Sequence, residues 1–306
     1  MHLIGLQDMS REQMIEILNL SEEFLDEKGK VFTPLDRREL LKGKTVAILF
    51  LEPSTRTRAS FELALRRLGA EVLHIQEATS SLQKGESAAD TCRTLAAMGV
   101  DGFVVRHSDR QLPHVLQERL PVPVINAGNG SGEHPTQGLL DALTLRRHFK
   151  QEDLKGLKIA IMGDIVHSRV ARSDAHAFSR LGAEVRLVGP KMLLPSEDRR
   201  GDWPAEIGGT RKDALRWADA VVVLRIQSER IHGNLVDTHQ YIMDWGIDSS
   251  AVEMHMLPET VILHPGPVIR GVEISDPVVD SERSLILKQV THGVAVRQAV
   301  LQTYLS

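Results

Sequence analysis

Several features that mark other classes of protein are absent from this sequence of 306 residues. It contains one cysteine, Cys92, so a disulfide within the chain and a cysteine-rich metal site are both excluded. No segment approaches the roughly 18–20 consecutive apolar residues that a membrane span needs. The first residues show no basic stretch followed by an apolar run, as a signal peptide would. We therefore expect a cytoplasmic protein with no membrane partner, since a single cysteine fits a reducing compartment.

Positive charge and aromatic side chains are also scarce. Lysine and arginine number 37 against 41 acidic residues, which gives a net charge of −4, and aromatic residues make up 4% of the chain. A protein that binds nucleic acid usually has a basic surface or aromatic platforms on which bases stack. The composition therefore gives no reason to expect a nucleic-acid partner.

Short apolar segments alternate with segments of helical periodicity along the whole chain. The segments predicted as strands are 45–51, 70–75, 102–107, 122–126, 157–164, 183–189, 218–225 and 260–266. Alternating strands and helices of this length favour parallel sheets flanked by helices. The sequence RLGAEVLHI at 67–75 is echoed by RLGAEVRLV at 180–188. The echo is either a common helix-to-strand joint or a sign that the two halves share a design.

The fold class that we predict is α/β, with two doubly wound parallel-sheet domains of similar design linked by helices. A polar segment that ends in glycine, 148–156, places the domain boundary near residue 150. The expected domains are 1–150 and 151–285, with a helix over about 286–306 packing back onto the first. The polar loops 76–86 and 226–237 are candidates for mobile lids.

The stretch Ser54-Thr55-Arg56-Thr57-Arg58 follows the first predicted strand and opens a helix. A helix N-terminus presents free N–H groups and the positive end of the helix dipole, which together attract an anion. Hydroxyl groups add donors, and a guanidinium matches the geometry of phosphate oxygens. The alternative is an N-cap followed by solvated arginines. The full string after a strand favours a phosphate site.

Other polar residues follow strands that would end at the same sheet edge. Arg106 closes the third strand, and a glycine-rich loop after the fourth leads to His134 and Gln137 at a helix start. Ligands bind at the carboxyl ends of strands in such sheets, so these side chains are expected near Ser54. A neutral imidazole there can donate a hydrogen bond to a developing oxyanion.

The second half places further cations after its strands. Arg169 lies in a segment that opens a helix, and Arg225 ends a strand two residues before Gln227. Two arginines at adjacent strand ends suit a ligand with two carboxylates, and Lys84 on a polar loop is a further candidate cation. The turn around Pro265 and Gly266 offers carbonyl acceptors, because proline lacks an N–H and restricts its neighbours.

Several catalytic signatures are missing from the sequence. A nicotinamide site is disfavoured because no G-x-G-x-x-G occurs, and nucleophile-elbow, Walker and H-E-x-x-H motifs are absent. We expect no metal and no cofactor. The arginines, histidines and hydroxyls instead suit direct transfer between two bound anionic substrates, catalysed by positioning and charge stabilisation.

Three of these motifs together resemble the aspartate/ornithine transcarbamylase family. They are Ser54-Thr55-Arg56-Thr57-Arg58, His134-Pro135-Thr136-Gln137 and His264-Pro265-Gly266-Pro267. The resemblance covers essentially the whole chain in order. Ornithine-specific members are expected to have His-Cys-Leu-Pro near the last strand, whereas this chain has His-Pro-Gly-Pro there. The loops SLQKGES and LRIQSER are similar to those of members that use aspartate. One departure is Ile269, where the family often has asparagine.

The resemblance implies transfer of the carbamoyl group of carbamoyl phosphate to L-aspartate, a step of pyrimidine biosynthesis. It implies that the first domain binds carbamoyl phosphate and the second aspartate. Carbamoyl phosphate would be held by Ser54, Thr55, Arg56, Thr57, Arg106, His134, Gln137, Pro265 and Gly266. Of these, the catalytic residues would be Arg56, Thr57, Arg106 and His134. The aspartate carboxylates would be bound by Lys84, Arg169, Arg225 and Gln227.

The resemblance also implies a homotrimer with shared active sites, in which Ser80 and Lys84 come from the neighbouring subunit. Two alternatives stay open: a transcarbamylase for ornithine or a modified ornithine, and a non-catalytic paralogue that serves as a scaffold. Regulatory chains and dihydroorotase are candidate partners of such a trimer.

Overall fold

A computed structural model describes residues 1–75, 85–226 and 237–306 of the chain. The chain divides into two compact units, the first formed by Met1–Leu143 with Val290–Ser306 and the second by Thr144–Gln289. Nearly all of the two predicted lid loops lies outside the described residues, and so do Ser80, Lys84 and Gln227. Among the helices of the described part, none is both long enough and apolar enough to cross a membrane.

The first unit is built on a parallel sheet of four strands. The strands are β1 (Thr45–Phe50), β2 (Glu71–Ile75), β3 (Gly102–His107) and β4 (Val124–Asn129). Their order across the sheet is β2-β1-β3-β4. The helices that begin in this unit are α1 (Arg11–Glu22), α2 (Thr55–Arg67), α3 (Ala88–Ala97), α4 (Leu112–Arg119) and α5 (Pro135–Phe149).

The second unit is built on a parallel sheet of five strands. They are β5 (Lys158–Met162), β6 (Glu184–Val188), β7 (Glu206–Ile207), β8 (Ala220–Val223) and β9 (Val261–Leu263). Their order is β7-β6-β5-β8-β9. The remaining helices are α6 (Arg169–Arg180), α7 (Arg211–Trp217), α8 (Thr238–Trp245), α9 (Ser249–His255), α10 (Asp276–Val279) and α11 (Ile286–Leu305). The predicted fold class, two parallel-sheet α/β domains, is confirmed.

The inner residues of the central strands are apolar and buried. In β1 the four inner residues are all buried, with no alternation between a wet and a dry face. This is the pattern expected of a parallel strand. Helix α2 then buries Phe61, Ala64 and Leu65 along one stripe, as its periodicity predicts. These contacts fix the backbone at the carboxyl end of β1, where the polar string begins.

The last helix, α11, contributes its C-terminal part to the first unit. There Gln298 donates from Nε2 to Thr33 Oγ1 at 2.6 Å, and Arg37 donates from Nη1 to Gln302 Oε1 at 3.2 Å. Lys44 also donates a hydrogen bond to the carbonyl oxygen of Leu305. The chain end is therefore held against segments that lie more than 250 residues earlier in the sequence.

Candidate active site

Each sheet contains one pair of neighbouring strands from which the chain continues towards opposite edges of the sheet. We call the gap between these two strands the switch point. In the first unit these strands are β1 and β3, with Phe50 paired to Arg106. In the second they are β5 and β8, with Met162 paired to Val223. Such switch points open a crevice at the carboxyl ends of the strands, where ligands of α/β proteins bind. The polar residues that follow these four strands are the site candidates.

At the first switch point, Ser54 is the N-cap of α2 with an extended backbone (φ −162°, ψ 103°). Its side chain makes no capping hydrogen bond, so the hydroxyl is not committed to the first N–H groups of the helix. Thr55 and Arg56 are exposed, while Thr57 is buried. The start of α2 thus presents N–H groups, hydroxyls and a guanidinium, which is the chemistry of an anion site.

Arg106 at the end of β3 lies beside a carboxylate that sequence reasoning missed. Its Nε is 3.6 Å from Glu52 Oε2, and the two side chains are 12% and 17% exposed. Its Nη1 donates to the carbonyl oxygen of Ala127 at 3.4 Å. These contacts hold the guanidinium at the end of the strand.

His134 reaches the same switch point from the loop before α5. Its Nε2 is 3.5 Å from the Thr57 hydroxyl oxygen, and the imidazole is almost fully buried. The loop is held from both sides: Glu133 N donates to Asn129 Oδ1 at 2.7 Å, and Glu133 Oε2 accepts from Leu6 N at 2.7 Å. The structure therefore brings together the predicted residues Thr57 and His134, which are 77 positions apart in the sequence.

Gln137 lies in the first turn of α5 and is buried. Its Nε2 donates to both carboxylate oxygens of Asp141, at 3.0 and 3.2 Å. Asp141 was not among the residues predicted for the site. An i, i+4 spacing on a helix was the available signal, since such side chains are neighbours.

At the second switch point the backbones approach closely. Gly163, directly after β5, has φ +125°, and a Cβ there would lie 2.6 Å from the carbonyl oxygen of Leu224. Only glycine fits this position. Arg169 then opens α6 behind the N-cap Ser168 and is 7% exposed, while Arg225 follows β8 and is half-buried. The two predicted arginines thus follow the two strands of this switch point.

The turn after β9 is fixed by one buried carboxylate, Glu273. Its Oε1 accepts from His264 Nε2 at 3.0 Å and from the backbone N–H of Ile269 at 2.7 Å. Gly266 N donates to His264 Nδ1 at 2.8 Å, which assigns the ring proton to Nε2. Ile269, where the family often has asparagine, is therefore held through its backbone. Pro265 and Gly266 are half-buried in this turn.

No cluster of three or more histidine, cysteine, aspartate or glutamate residues that could hold a metal ion occurs in residues 1–75, 85–226 and 237–306. The residues predicted from the sequence at the two switch points supply hydrogen-bond donors, hydroxyls and cations, with Glu52 beside Arg106 at the first. Such groups bind anions and stabilise developing negative charge.

Two family models match the chain in succession. Residues 1–147 match the carbamoyl-P binding domain of aspartate/ornithine carbamoyltransferase, and residues 155–304 match its Asp/Orn binding domain. The aspartate carbamoyltransferase catalytic subunit of Anaeromyxobacter sp. (strain K) is 46% identical over 302 residues, which cover 98% of this chain and 94% of that protein.

Solved structures with both substrate specificities are similar to this chain. Aspartate transcarbamoylase from Trypanosoma cruzi in complex with N-(phosphonacetyl)-L-aspartic acid has a TM-score of 0.87 at 28% identity, covering 100% of this chain and 96% of that one. Ornithine carbamoyltransferase from Pyrococcus furiosus has a TM-score of 0.85 at 28% identity, covering 99% of this chain and 96% of that one.

Proposed function

The chain belongs to the aspartate/ornithine carbamoyltransferase family, and from that premise we propose that it catalyses carbamoyl transfer to L-aspartate. The carbamoyl group comes from carbamoyl phosphate, and the products are N-carbamoyl-L-aspartate and phosphate, in pyrimidine biosynthesis. Relatives that are 46% identical over 98% of the chain are named as the aspartate enzyme. The turn after β9 reads His264-Pro265-Gly266-Pro267 and has no cysteine to face an ornithine amine.

The observation that carries the proposal is the group of residues at the first switch point. The start of α2 supplies N–H groups and hydroxyls from Ser54, Thr55 and Thr57, and Arg56 and Arg106 supply positive charge. A phosphate dianion is bound by this combination of dipole, donors and guanidinium groups. We assign the phosphate of carbamoyl phosphate to this place.

The carbamoyl oxygen gains negative charge as the aspartate amine adds to the carbon. Donors aimed at this oxygen stabilise the tetrahedral intermediate, and each contributes on the order of 10²–10³ in rate. We assign this role to Arg106, His134 and Thr57, supported by the 3.5 Å separation of the Thr57 hydroxyl and the His134 ring. Collapse of the intermediate breaks the bond to the phosphate oxygen, and the added amine loses its proton.

Acceptors are needed for the amino group of the carbamoyl moiety. We assign them to Gln137 Oε1 and to the backbone carbonyls of Pro265 and Gly266. The hydrogen bonds from His264 and Ile269 to Glu273 support the second assignment, because they fix the turn that carries those carbonyls. Acceptors held in advance lose little entropy when the ligand binds.

Aspartate brings two carboxylates, and the proposal assigns them to Arg169, Arg225, Gln227 and Lys84. Arg169 and Arg225 follow the two strands of the second switch point. Paired guanidinium groups recognise carboxylates by two parallel hydrogen bonds each. Gln227 and Lys84 enter the proposal from the sequence alone.

We also propose a cytoplasmic homotrimer in which Ser80 and Lys84 serve the site of the neighbouring subunit. Binding of regulatory chains or dihydroorotase would be detected by sizing the purified protein alone and with each candidate partner.

Incubation of the purified protein with carbamoyl phosphate and either aspartate or ornithine tests the reaction. We expect phosphate release and N-carbamoyl-L-aspartate with aspartate and no product with ornithine. Turnover of ornithine alone would overturn the substrate assignment. Turnover of neither amine would favour a non-catalytic scaffold.

A further inference from the structure

The fully buried carboxylate of Asp141 determines which way the amide of Gln137 faces. Gln137 Nε2 lies 3.0 Å from one oxygen of Asp141 and 3.2 Å from the other, and Asp141 has no exposed surface. An ionised carboxylate accepts hydrogen bonds and donates none, whereas an amide NH₂ only donates. The amide nitrogen of Gln137 must therefore face Asp141.

This orientation leaves the other amide atom, Oε1 of Gln137, facing away from Asp141. Within the described part of the chain, this oxygen makes no hydrogen bond. A carbonyl oxygen in a residue that is 7% exposed costs free energy unless a donor reaches it. The orientation therefore suits a ligand that brings an N–H group.

The charge of Asp141 is supported by a second buried group, Arg297 on α11. Arg297 is 4% exposed, and its guanidinium carbon lies 5.1 Å from the centre of the Phe61 ring in α2. Burial lowers the pKa of Arg297 to about 10, and the negative charge of Asp141 acts in the opposite direction. The guanidinium thus stays protonated at neutral pH and favours the ionised form of Asp141.

The helix backbone makes room for this arginine. Arg297 Nη1 donates to the carbonyl oxygen of Gly293 at 3.0 Å, and a Cβ on Gly293 would lie 2.6 Å from the same Nη1. Glycine at 293 therefore allows the guanidinium to lie against the helix. The arrangement places the buried guanidinium of α11 against Phe61 of α2.

We propose that Asp141, supported by Arg297, is a positioning residue that presents Gln137 Oε1 to the carbamoyl amino group of carbamoyl phosphate. The inference rests on the proposed function. With the amide reversed, Gln137 would turn its own NH₂ towards the NH₂ of the substrate, and two donors would face each other. Asp141 prevents that reversal, because its oxygens accept only from the nitrogen.

The test is a double-mutant cycle of Asp141→Asn and Gln137→Ala. The substituted asparagine side chain carries an NH₂ that can donate to Gln137 Oε1, so the amide is free to reverse. We expect kcat/KM for carbamoyl phosphate to fall about tenfold in the D141N variant, the effect of one lost hydrogen bond. In the Q137A background, adding D141N should not lower kcat/KM any further, because the amide that Asp141 orients is absent.

Thermal unfolding of all four proteins separates positioning from folding. The unfolding curves check that each protein is folded at the assay temperature, since Asp141 and Gln137 are in contact and their stability effects need not add. Positioning predicts that the loss of kcat/KM appears only where Gln137 is present. An equal loss of kcat/KM in both backgrounds would overturn the inference, and so would an unchanged kcat/KM in D141N alone.

A partner variant protects the test against misfolding. If D141N does not accumulate as a folded protein, the cycle is run on Arg297→Met, which removes the buried positive charge that supports Asp141. Wild-type protein that turns over neither amine would contradict the proposed function and not this inference. In that case the dissociation constant of carbamoyl phosphate is measured by calorimetry for the same four proteins. A rise caused by D141N only where Gln137 is present would support the inference. An equal rise in both backgrounds, or no rise in D141N alone, would overturn it.

Discussion

Arg56 and Arg58 are both exposed in the first turn of α2, yet only Arg56 is assigned to the phosphate. Residues two positions apart point in widely different directions around a helix. We expect Arg56→Ala to lower kcat/KM for carbamoyl phosphate by roughly 10²–10³, because it removes a charged donor that stabilises the transition state. Steady-state kinetics measure this loss. In the matched control, Arg58→Ala, kcat/KM should fall a few-fold or less. Equal losses in the two variants would contradict the assignment.

Cys92 lies fully buried in the apolar cluster that contains Leu49, Phe103 and Val105. Burial raises the pKa of its thiol from 9.0 to about 12, so the reactive thiolate is scarce at neutral pH. We expect a thiol reagent to label one group per chain in denaturant and almost none in the native protein. Rapid labelling of the native protein at neutral pH would contradict this.

The same pKa shift has a consequence for stability at high pH. The pKa is raised in the folded state, so the stabilisation is complete below about pH 9 and is lost as pH rises towards 12. The free energy of unfolding of a Cys92→Ala variant should therefore fall less steeply over that window than that of the wild type.

Single residues of the site were predictable where a side chain suited to binding an anion lies at a predicted strand end or helix start. Arg106 could be recognised because it lies at the end of a predicted strand, and His134 because it lies at a predicted helix start after the next strand. Glu52 and Asp141 were missed, since acidic residues beside an anion site contradict simple charge matching. Their contacts with Arg106 and Gln137 depend on distances that only the folded chain defines.

Helix α6 starts at a buried cap that also determines where Arg169 lies. Ser168 Oγ accepts from Ala171 N at 3.2 Å, and the serine is 3% exposed. We expect Ser168→Ala to cost about 1 kcal/mol of stability and to raise KM for aspartate, because the first turn that carries Arg169 loosens. Thermal unfolding and initial rates measure the two effects.

The matched control is the N-cap of α7 in the same unit. Thr210 Oγ1 accepts from Asp213 N at 3.2 Å, and Thr210 is exposed. Thr210→Ala should cost similar stability and leave KM for aspartate unchanged. An equal rise of KM in both variants would show that general loosening, and not the position of Arg169, is responsible.

Elements were predictable where burial and periodicity gave a strong local signal. The predicted bounds of β3, 102–107, agree with the structure. Strand β4 runs on to Asn129, three residues beyond its predicted end. Buried hydrogen bonds support it there, since Asn126 accepts from Gly128 N at 2.8 Å and donates to Asn129 Oδ1 at 3.1 Å. Strand β7 has only two residues, too few for a pattern.

At the scale of the molecule, the two units repeat one arrangement around their switch points. RLGAEVLHI runs from the end of α2 into β2, and RLGAEVRLV from the end of α6 into β6. In both, a glycine of positive φ, Gly69 at +86° and Gly182 at +94°, makes the turn. The strand that follows pairs with the strand before the helix. The repeated sequence therefore marks equivalent β-α-β segments, which supports the shared-design alternative for the echo.

A site shared between subunits makes a prediction about mixtures of inactive variants. The proposal places His134 and Lys84 of one active site on different subunits. Equal amounts of His134→Ala and Lys84→Ala protein, dissociated and reassembled at random, should then regenerate roughly a quarter of the wild-type sites. The activity of the mixture, measured against each variant treated alone, reports this recovery.

The control for that mixture uses two residues of the same proposed half-site. Arg56 and His134 both lie in the first unit, and the proposal takes both from one subunit. Mixing Arg56→Ala with His134→Ala should therefore restore nothing, because every site lacks one of the two groups. Sizing of each reassembled mixture checks that subunits have exchanged into trimers. Recovery in both mixtures, or in neither once exchange is shown, would contradict a site completed by Lys84 of the neighbouring subunit.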